Sequence, residues 1–290
     1  MNIQAMSKVN LALDVLRRRE DGYHEVRMVM QTLNLHDELT INIRDDENIV
    51  ITCNNSQLEC DENNLIYKAA RLLLDEVHSN IGLDIHLEKN IPIAAGMAGG
   101  STDAAATLVG LNELLYLGRT KDELKQLGVK LGADVPYCIE GGTQLSEGIG
   151  EKLTKLPEAP QCYVVVAKPH VGVSTKYVYE NLHVETIEHH PDIDSMLAAI
   201  ENKSLKEVAA AMDNILANVT EKKYPVIAML KQVLMDNGAL NAIMSGSGPT
   251  VFGLFEDEEK AEAALEAVMA TGEVSNGCVT TMSQRTCVIC

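Results

Sequence analysis

The 290-residue chain has no tryptophan and two phenylalanines, so aromatic residues make up only 3% of it. Ring stacking must therefore fall to its tyrosines and histidines, eight of each. Basic residues are scarce too. With 24 Lys plus Arg against 42 Asp plus Glu the formal charge is −18, which repels nucleic acid and anionic membrane. An anionic substrate would need a local basic patch. No apolar run reaches the roughly 18 residues of a membrane span. The opening "MNIQAMSKVNLALDVLRRRE" carries its charges after its apolar part, unlike a secretory signal, so a cytoplasmic protein is expected. The seven cysteines, at 53, 60, 138, 162, 278, 287 and 290, share no repeated spacing and read as reduced thiols. The final "CVIC" has no polybasic segment before it and no further ligands at metal spacing, so it reads as the end of a last strand.

What is present is an ordinary packed protein, 46% apolar, with enough for one large or two modest cores. Strand-like "AMSKVNLALDVL", "DELTINI" and "NIVITC" precede an amphipathic helix at about 64–78, and "GLDIHLEK" alternates as a further strand. Thr120 and Glu123 form a capping box opening a helix that stops near Gly132. The segment "LPEAPQ" (156–161) marks a boundary between residues 1–155 and 156–290. After it come the continuous strand "CYVVVA" and helices near 174–182, 193–201, 204–213 and 222–237. Strand, glycine turn and strand follow in "ALNAIMSGSGPTVFGLF", then the helix "EDEEKAEAALEAVMA" and a last strand. Strands and helices mix without regular βαβ alternation, which predicts an α+β fold in two lobes.

Glycine is concentrated in "IPIAAGMAGGSTDAAATLVGLNELL" (91–115), where Gly96, Gly99 and Gly100 stand just ahead of a good helix. Glycine costs backbone entropy, so such a cluster signals an unusual path or the close approach of something bulky. Free amides and the positive dipole end at a helix entrance suit a phosphate. Ser101 or Thr102 is expected to cap the first turn. Asp103 reads as a surface residue complementing the dipole. The loop is neither a Walker A sequence, since no Lys follows Gly100, nor a dinucleotide G-x-G-x-x-G. A second glycine loop, "SGSGPT" (245–250), lies between strands, and Lys8 and Asn10 share one face of the first strand by alternation. A Lys in so apolar a strand needs a partner. Asp134 in "GADVPY" reads equally as a helix-to-loop cap, and Arg17 to Arg19 as a solvated loop.

Taken together, "SKVNLALDVLRRREDGYHEV", "PIAAGMAGGSTDAA" and "MSGSGPTVFGLF" resemble the three motifs of the GHMP kinases, in order, from about residue 5 to 255. Through "DGYHE" the likeness is to the 4-diphosphocytidyl-2-C-methyl-D-erythritol kinases within that superfamily. The resemblance implies a two-lobed fold, with an N-terminal lobe like domain 2 of ribosomal protein S5 and a ferredoxin-like C-terminal lobe. It implies transfer of the ATP γ-phosphoryl to the 2-hydroxyl of a cytidine diphosphate-linked methylerythritol, with Mg²⁺ expected from the chemistry and no metal ligand assigned. Lys8 and Asp134 match its catalytic pair, the lysine charge keeping the carboxylate ionised. ATP would lie on Pro92, Ala94, Gly96, Met97, Ala98, Gly99, Gly100, Ser101 and Thr102, with Asn64 and Lys89 near adenine and ribose. The acceptor would meet Asn10, Tyr23, His24, Thr175, Tyr179, Ser245 and Gly246, with Tyr177 the rival of Tyr179 for the second stacking ring. The implied partner is this small molecule, not nucleic acid or membrane, bound by a monomer or homodimer.

Two departures stand out: Ser7 where the family has Ala, and Ala98 where it has Gly. An Ala at a left-handed position would be strained, so residue 98 is expected at negative φ, leaving Gly99 and Gly100 as the positions that need a bare Cα. Another GHMP activity of the mevalonate or homoserine kinase type, and a non-catalytic nucleotide-binding protein of this fold, are the alternatives.

Overall fold

In the computed structural model, which describes residues 1–290, two long antiparallel strands organise everything else. They are Asn2–Arg18 (β1) and His24–Arg44 (β2). In chain order there follow Ile49–Cys53 (β3), Leu65–Glu76 (α1), Gly82–Glu88 (β4), Gly99–Leu114 (α2), Lys121–Val129 (α3), Val135–Glu140 (α4), Thr143–Gly148 (β5) and Lys152–Lys155 (β6). The second half comprises Tyr163–Pro169 (β7), Thr175–Glu180 (α5), Ile193–Glu201 (α6), Leu205–Ala211 (α7), Asp213–Asn214 (β8), Ala217–Lys223 (α8) and Val226–Asp236 (α9). It ends with Asn241–Met244 (β9), Val251–Phe255 (β10), Glu258–Ala270 (α10), Val274–Ser283 (β11) and Val288–Ile289 (β12).

The length of β2 lets it serve several neighbours: Val26–Gln31 pairs with β5, Thr32 and Leu33 with β11, and Glu38–Arg44 with β4. The continuous sheet path runs β12-β1-β2-β11-β7-β10-β9. Strand β11 joins the halves, pairing with β7 along most of its length and with β2 at its end. The chain's last strand then returns to the first, Ile289 opposite Ile3. A cut at residue 155 therefore separates the segments in sequence, whereas the sheet crosses it.

Alternation decides which face is covered. In β4 the side chains of Leu83, Ile85 and Leu87 are buried and join Leu39 and Ile41 of β2 under α1 and α2. A second apolar cluster lies under α6 and α7, where Val9 and Leu11 of β1 meet Val164, Val166, Phe252 and Met196. Helix α2 is buried nearly all round, which explains why its Ala-rich sequence has no clear polar face.

Two elements differ from the sequence reading. The helix expected at 222–237 is two helices, because Pro225 cannot continue α8 and instead opens α9. "GADVPY", read as a turn, begins α4, with Pro136 in the first turn where no amide partner is needed.

Candidate active site

Strand β1 carries Lys8 into the middle of the molecule, where it is 4% exposed. Its Nζ donates to Asn10 Oδ1 (2.9 Å) and to the carbonyl of Gly96 (3.2 Å), and lies 3.7 Å from Asp134 Oδ2. The same-face expectation for Lys8 and Asn10 thus holds, and the lysine has the partners its burial demands. Asp134 stands at the entrance of α4, but its side chain makes no capping hydrogen bond. The capping reading fails, leaving a partly exposed carboxylate beside an ammonium.

The two glycine loops meet at Gly96. Ser245 Oγ donates to its carbonyl (3.0 Å), and a Cβ built on Gly96 would lie 2.3 Å from the Ser245 carbonyl oxygen. Gly96 is left-handed (φ +72°), as are Gly246 (+56°) and Gly248 (+86°). Only glycine allows the loops to approach this closely. Beyond them α2 begins, its first amides without intrahelical acceptors.

Three expectations about this loop are corrected. Ala98 has φ 59° and is itself the N-cap, so the left-handed conformation is adopted despite its Cβ. Neither Ser101 nor Thr102 caps the helix; the Thr102 hydroxyl donates instead to the carbonyl of Met6 (2.7 Å), pinning α2 to β1. Asp103 is no surface residue: it is 2% exposed, and its Oδ2 accepts from Lys89 Nζ (2.7 Å), which also donates to Asp37 Oδ2 (2.5 Å). Gly99 and Gly100 have ordinary φ, so their bare Cα serves only fit: a Cβ would meet Lys89 Nζ at 3.0 Å or Leu65 Cδ1 at 3.3 Å. The left-handed Ala98 costs roughly 1–2 kcal/mol. Ala98→Gly should consequently raise thermal stability without weakening ATP use. An unchanged or lower melting temperature would contradict this account.

These groups line one cleft of about 1040 Å³. Of the residues the resemblance assigns to catalysis, ATP or the acceptor, Met97, Thr102 and Ser245 are buried behind the cleft wall, Tyr177 lies outside it, and the rest line it. Asn64 does so while capping α1, its Oδ1 accepting from the Ile66 amide. At the far end the His24 and Tyr179 rings face each other, centroids 5.0 Å apart, with Tyr23 beside them and 60% exposed. Burial and the nearby Arg18 push the His24 imidazole down, toward its neutral form; burial pushes the Tyr179 hydroxyl up. Tyr177 lies outside the cleft, its ring under the Lys223 ammonium at 3.4 Å. Thr175 Oγ1 and Ser247 Oγ are hydrogen-bonded at 2.8 Å. Sequence reading missed Leu58, Glu59 and Ser247 along the walls; the first two sit in an irregular loop with no local signal. It set aside Arg18, which lines the cleft. The Ser7 hydroxyl is buried without a partner, and nothing in the structure explains it.

The profile of the GHMP kinases N terminal domain matches residues 64–142, and that of the GHMP kinases C terminal region matches 196–274. A 4-diphosphocytidyl-2-C-methyl-D-erythritol kinase of Lachnoclostridium phytofermentans is 52% identical over 91% of each chain. The crystal structure of a 4-(cytidine 5'-diphospho)-2C-methyl-D-erythritol kinase superposes with a TM-score of 0.83 at 31% identity, covering 98% of this chain and 99% of that one. A homoserine kinase from Cytophaga hutchinsonii, 20% identical with a TM-score of 0.79 over 100% of this chain and 97% of its own, shares the fold. The first profile spans the Gly96 loop and Asp134, and the second spans the loop packed against them, so the two matched regions supply the two sides of one cleft: this chain belongs to the GHMP kinase family.

Proposed function

We propose that this protein transfers the γ-phosphoryl of ATP to the 2-hydroxyl of 4-(cytidine 5'-diphospho)-2-C-methyl-D-erythritol, giving the 2-phosphate and ADP. One observation carries the reading. A buried ammonium and a carboxylate 3.7 Å apart lie in a single cleft, with the glycine-lined helix entrance on one side and the His24–Tyr179 ring pair on the other. A donor triphosphate fits the first end and a cytosine the second.

Phosphoryl transfer needs alignment and charge stabilisation more than covalent help. In this reading Asp134 accepts the proton of the acceptor hydroxyl as the oxygen attacks phosphorus. Lys8, held in place by Asn10 and the Gly96 carbonyl, places its charge against the transferring group. The first amides of α2 take the triphosphate oxygens. Mg²⁺ would neutralise charge on that triphosphate; no group of three or more His, Cys, Asp or Glu side chains is gathered to hold a metal. An ion accompanying ATP would supply charge neutralisation there, and no step above passes through it. No helix is long and apolar enough to cross a membrane.

The test is ATP consumption with each acceptor offered separately. Turnover with the cytidyl compound and none with mevalonate or homoserine supports the proposal; the reverse order assigns another GHMP activity. Tyr23→Ala should weaken the cytidyl acceptor by about 1–3 kcal/mol, the worth of one base–aromatic stack, while the ATP constant stays put. Steady-state constants for both substrates check this. A shift in the ATP constant alone would mean that the two ends of the cleft are assigned the wrong way round.

A further inference from the structure

The Lys89 ammonium sits just past the end of β4 between two carboxylates, Asp37 from β2 and Asp103 from the fifth position of α2. The three side chains are 3%, 0% and 4% exposed. Asp37 is fully engaged, since its other oxygen accepts from the amides of Asn90 (2.6 Å) and Ile91 (2.7 Å). Asp103 is not: its Oδ1 is buried and has no partner. One ammonium balances one carboxylate, and a second ionised carboxylate would leave a net negative charge away from water. The group is also well placed to matter. A Cβ on Gly99 would lie 3.0 Å from Lys89 Nζ, so the ammonium stands directly against the first residue of α2.

We propose that Asp103 is a neutral carboxylic acid which, with ionised Asp37, holds the Lys89 ammonium as a strut against Gly99. This strut sets the position of the first-turn amides of α2 toward a triphosphate. Lys89 is then a positioning residue whose ammonium does not itself touch the nucleotide. The inference rests on the reading that the glycine loop holds ATP. Burial pushes the Asp103 carboxyl up; the Lys89 ammonium pulls it down and Asp37 pushes it up again, and the balance leaves it well above its usual range. The other titratable group facing it is Cys287, from the segment before β12, whose thiol burial pushes up to about 12 and so keeps neutral.

Two measurements test this, both independent of turnover. The first is stability against pH for the parent and Asp103→Asn. A carboxyl whose folded-state affinity for protons exceeds its unfolded one stabilises the fold at low pH. That contribution is lost as pH rises from the ordinary carboxylate range toward the raised folded-state value. The parent should therefore lose stability relative to Asp103→Asn over that window, and parallel curves would show Asp103 to be ionised and overturn the proposal. The second is calorimetric binding of ADP and, separately, of CDP. Lys89→Met alone leaves Asp37 buried and unpaired and risks the fold, so it is paired with Asp37→Asn, which with a neutral Asp103 leaves no charge in the cluster. This double variant should fold and bind ADP roughly tenfold more weakly or worse, the loss expected when a buried polar tie is removed, with CDP unchanged. Asp103→Asn should bind ADP within about threefold of the parent, since it copies the neutral acid and a larger change would exceed about 0.7 kcal/mol. Parent-like ADP binding in the double variant would make the cluster a packing feature only. Equal losses for ADP and CDP would do the same. A parent that binds CDP and no ADP would instead overturn the reading of the glycine loop itself.

Discussion

Asp134→Asn is expected to bind ATP as the parent does and to lose about 10²–10⁴-fold in turnover, the range for removing a general base. The size follows from what the substitution leaves intact. Asp134 makes no capping bond at α4, so exchanging one oxygen for an amide costs no helix end. Its ion-pair partner Lys8 keeps Asn10 Oδ1 and the Gly96 carbonyl, at 2.9 and 3.2 Å, and stays in place. What disappears is the carboxylate 3.7 Å from that ammonium, the group proposed above to accept the proton. Single-turnover rates and the ATP dissociation constant separate the two effects. A loss of less than about tenfold would remove Asp134 from the base role.

Gly96→Ala should be nearly as damaging for a different reason. The left-handed backbone at φ +72° costs an alanine roughly 1–2 kcal/mol by itself. The added carbon would also lie 2.3 Å from a backbone oxygen of the second glycine loop and 3.2 Å from another, and neither can rotate away as a flexible side chain could. The loops must separate, carrying with them the carbonyl that orients Lys8 and Ser245. Misplacement by about 1 Å at a reacting centre costs on the order of 10²-fold, so kcat/KM should fall at least that far, with a lower melting temperature. Parent-like activity would show that Lys8 does not depend on this junction. The contrast with Ala98→Gly, two residues on, is part of the test. The same loop should reject a methyl at 96 and benefit from losing one at 98.

The glycine loops, the Lys8–Asn10 face and the capping box of α3 are legible in the sequence because each depends on residues within a few positions of one another. Glu123 N donates to Thr120 Oγ1 and Thr120 N to Glu123 Oε2, as the spacing requires. Asp103 and Ala98 are misread for the opposite reason. A dipole-complementing Asp in a helix's first turn is a sound local reading, and only the arrival of Lys89 and Asp37 from two strands makes the position buried. A negative φ for alanine is equally sound locally. The junction of Gly96 with Ser245 and the bond from Thr102 to Met6 hold the loop in a path that residue 98 must complete in the left-handed region.

Local spacing and residue chemistry thus determined the strands and most of the helices, the glycine cradle, and a lysine that needed a partner. Tertiary structure decided which carboxylate became that partner, which tyrosine entered the cleft, and which charges left water. Those outcomes depend on groups 126, 155 and 52 positions apart in sequence, Lys8 with Asp134, His24 with Tyr179 and Asp37 with Lys89. Side-chain periodicity carries no information across such distances; pairing along β2 and the docking of α2 on β1 bring the groups together.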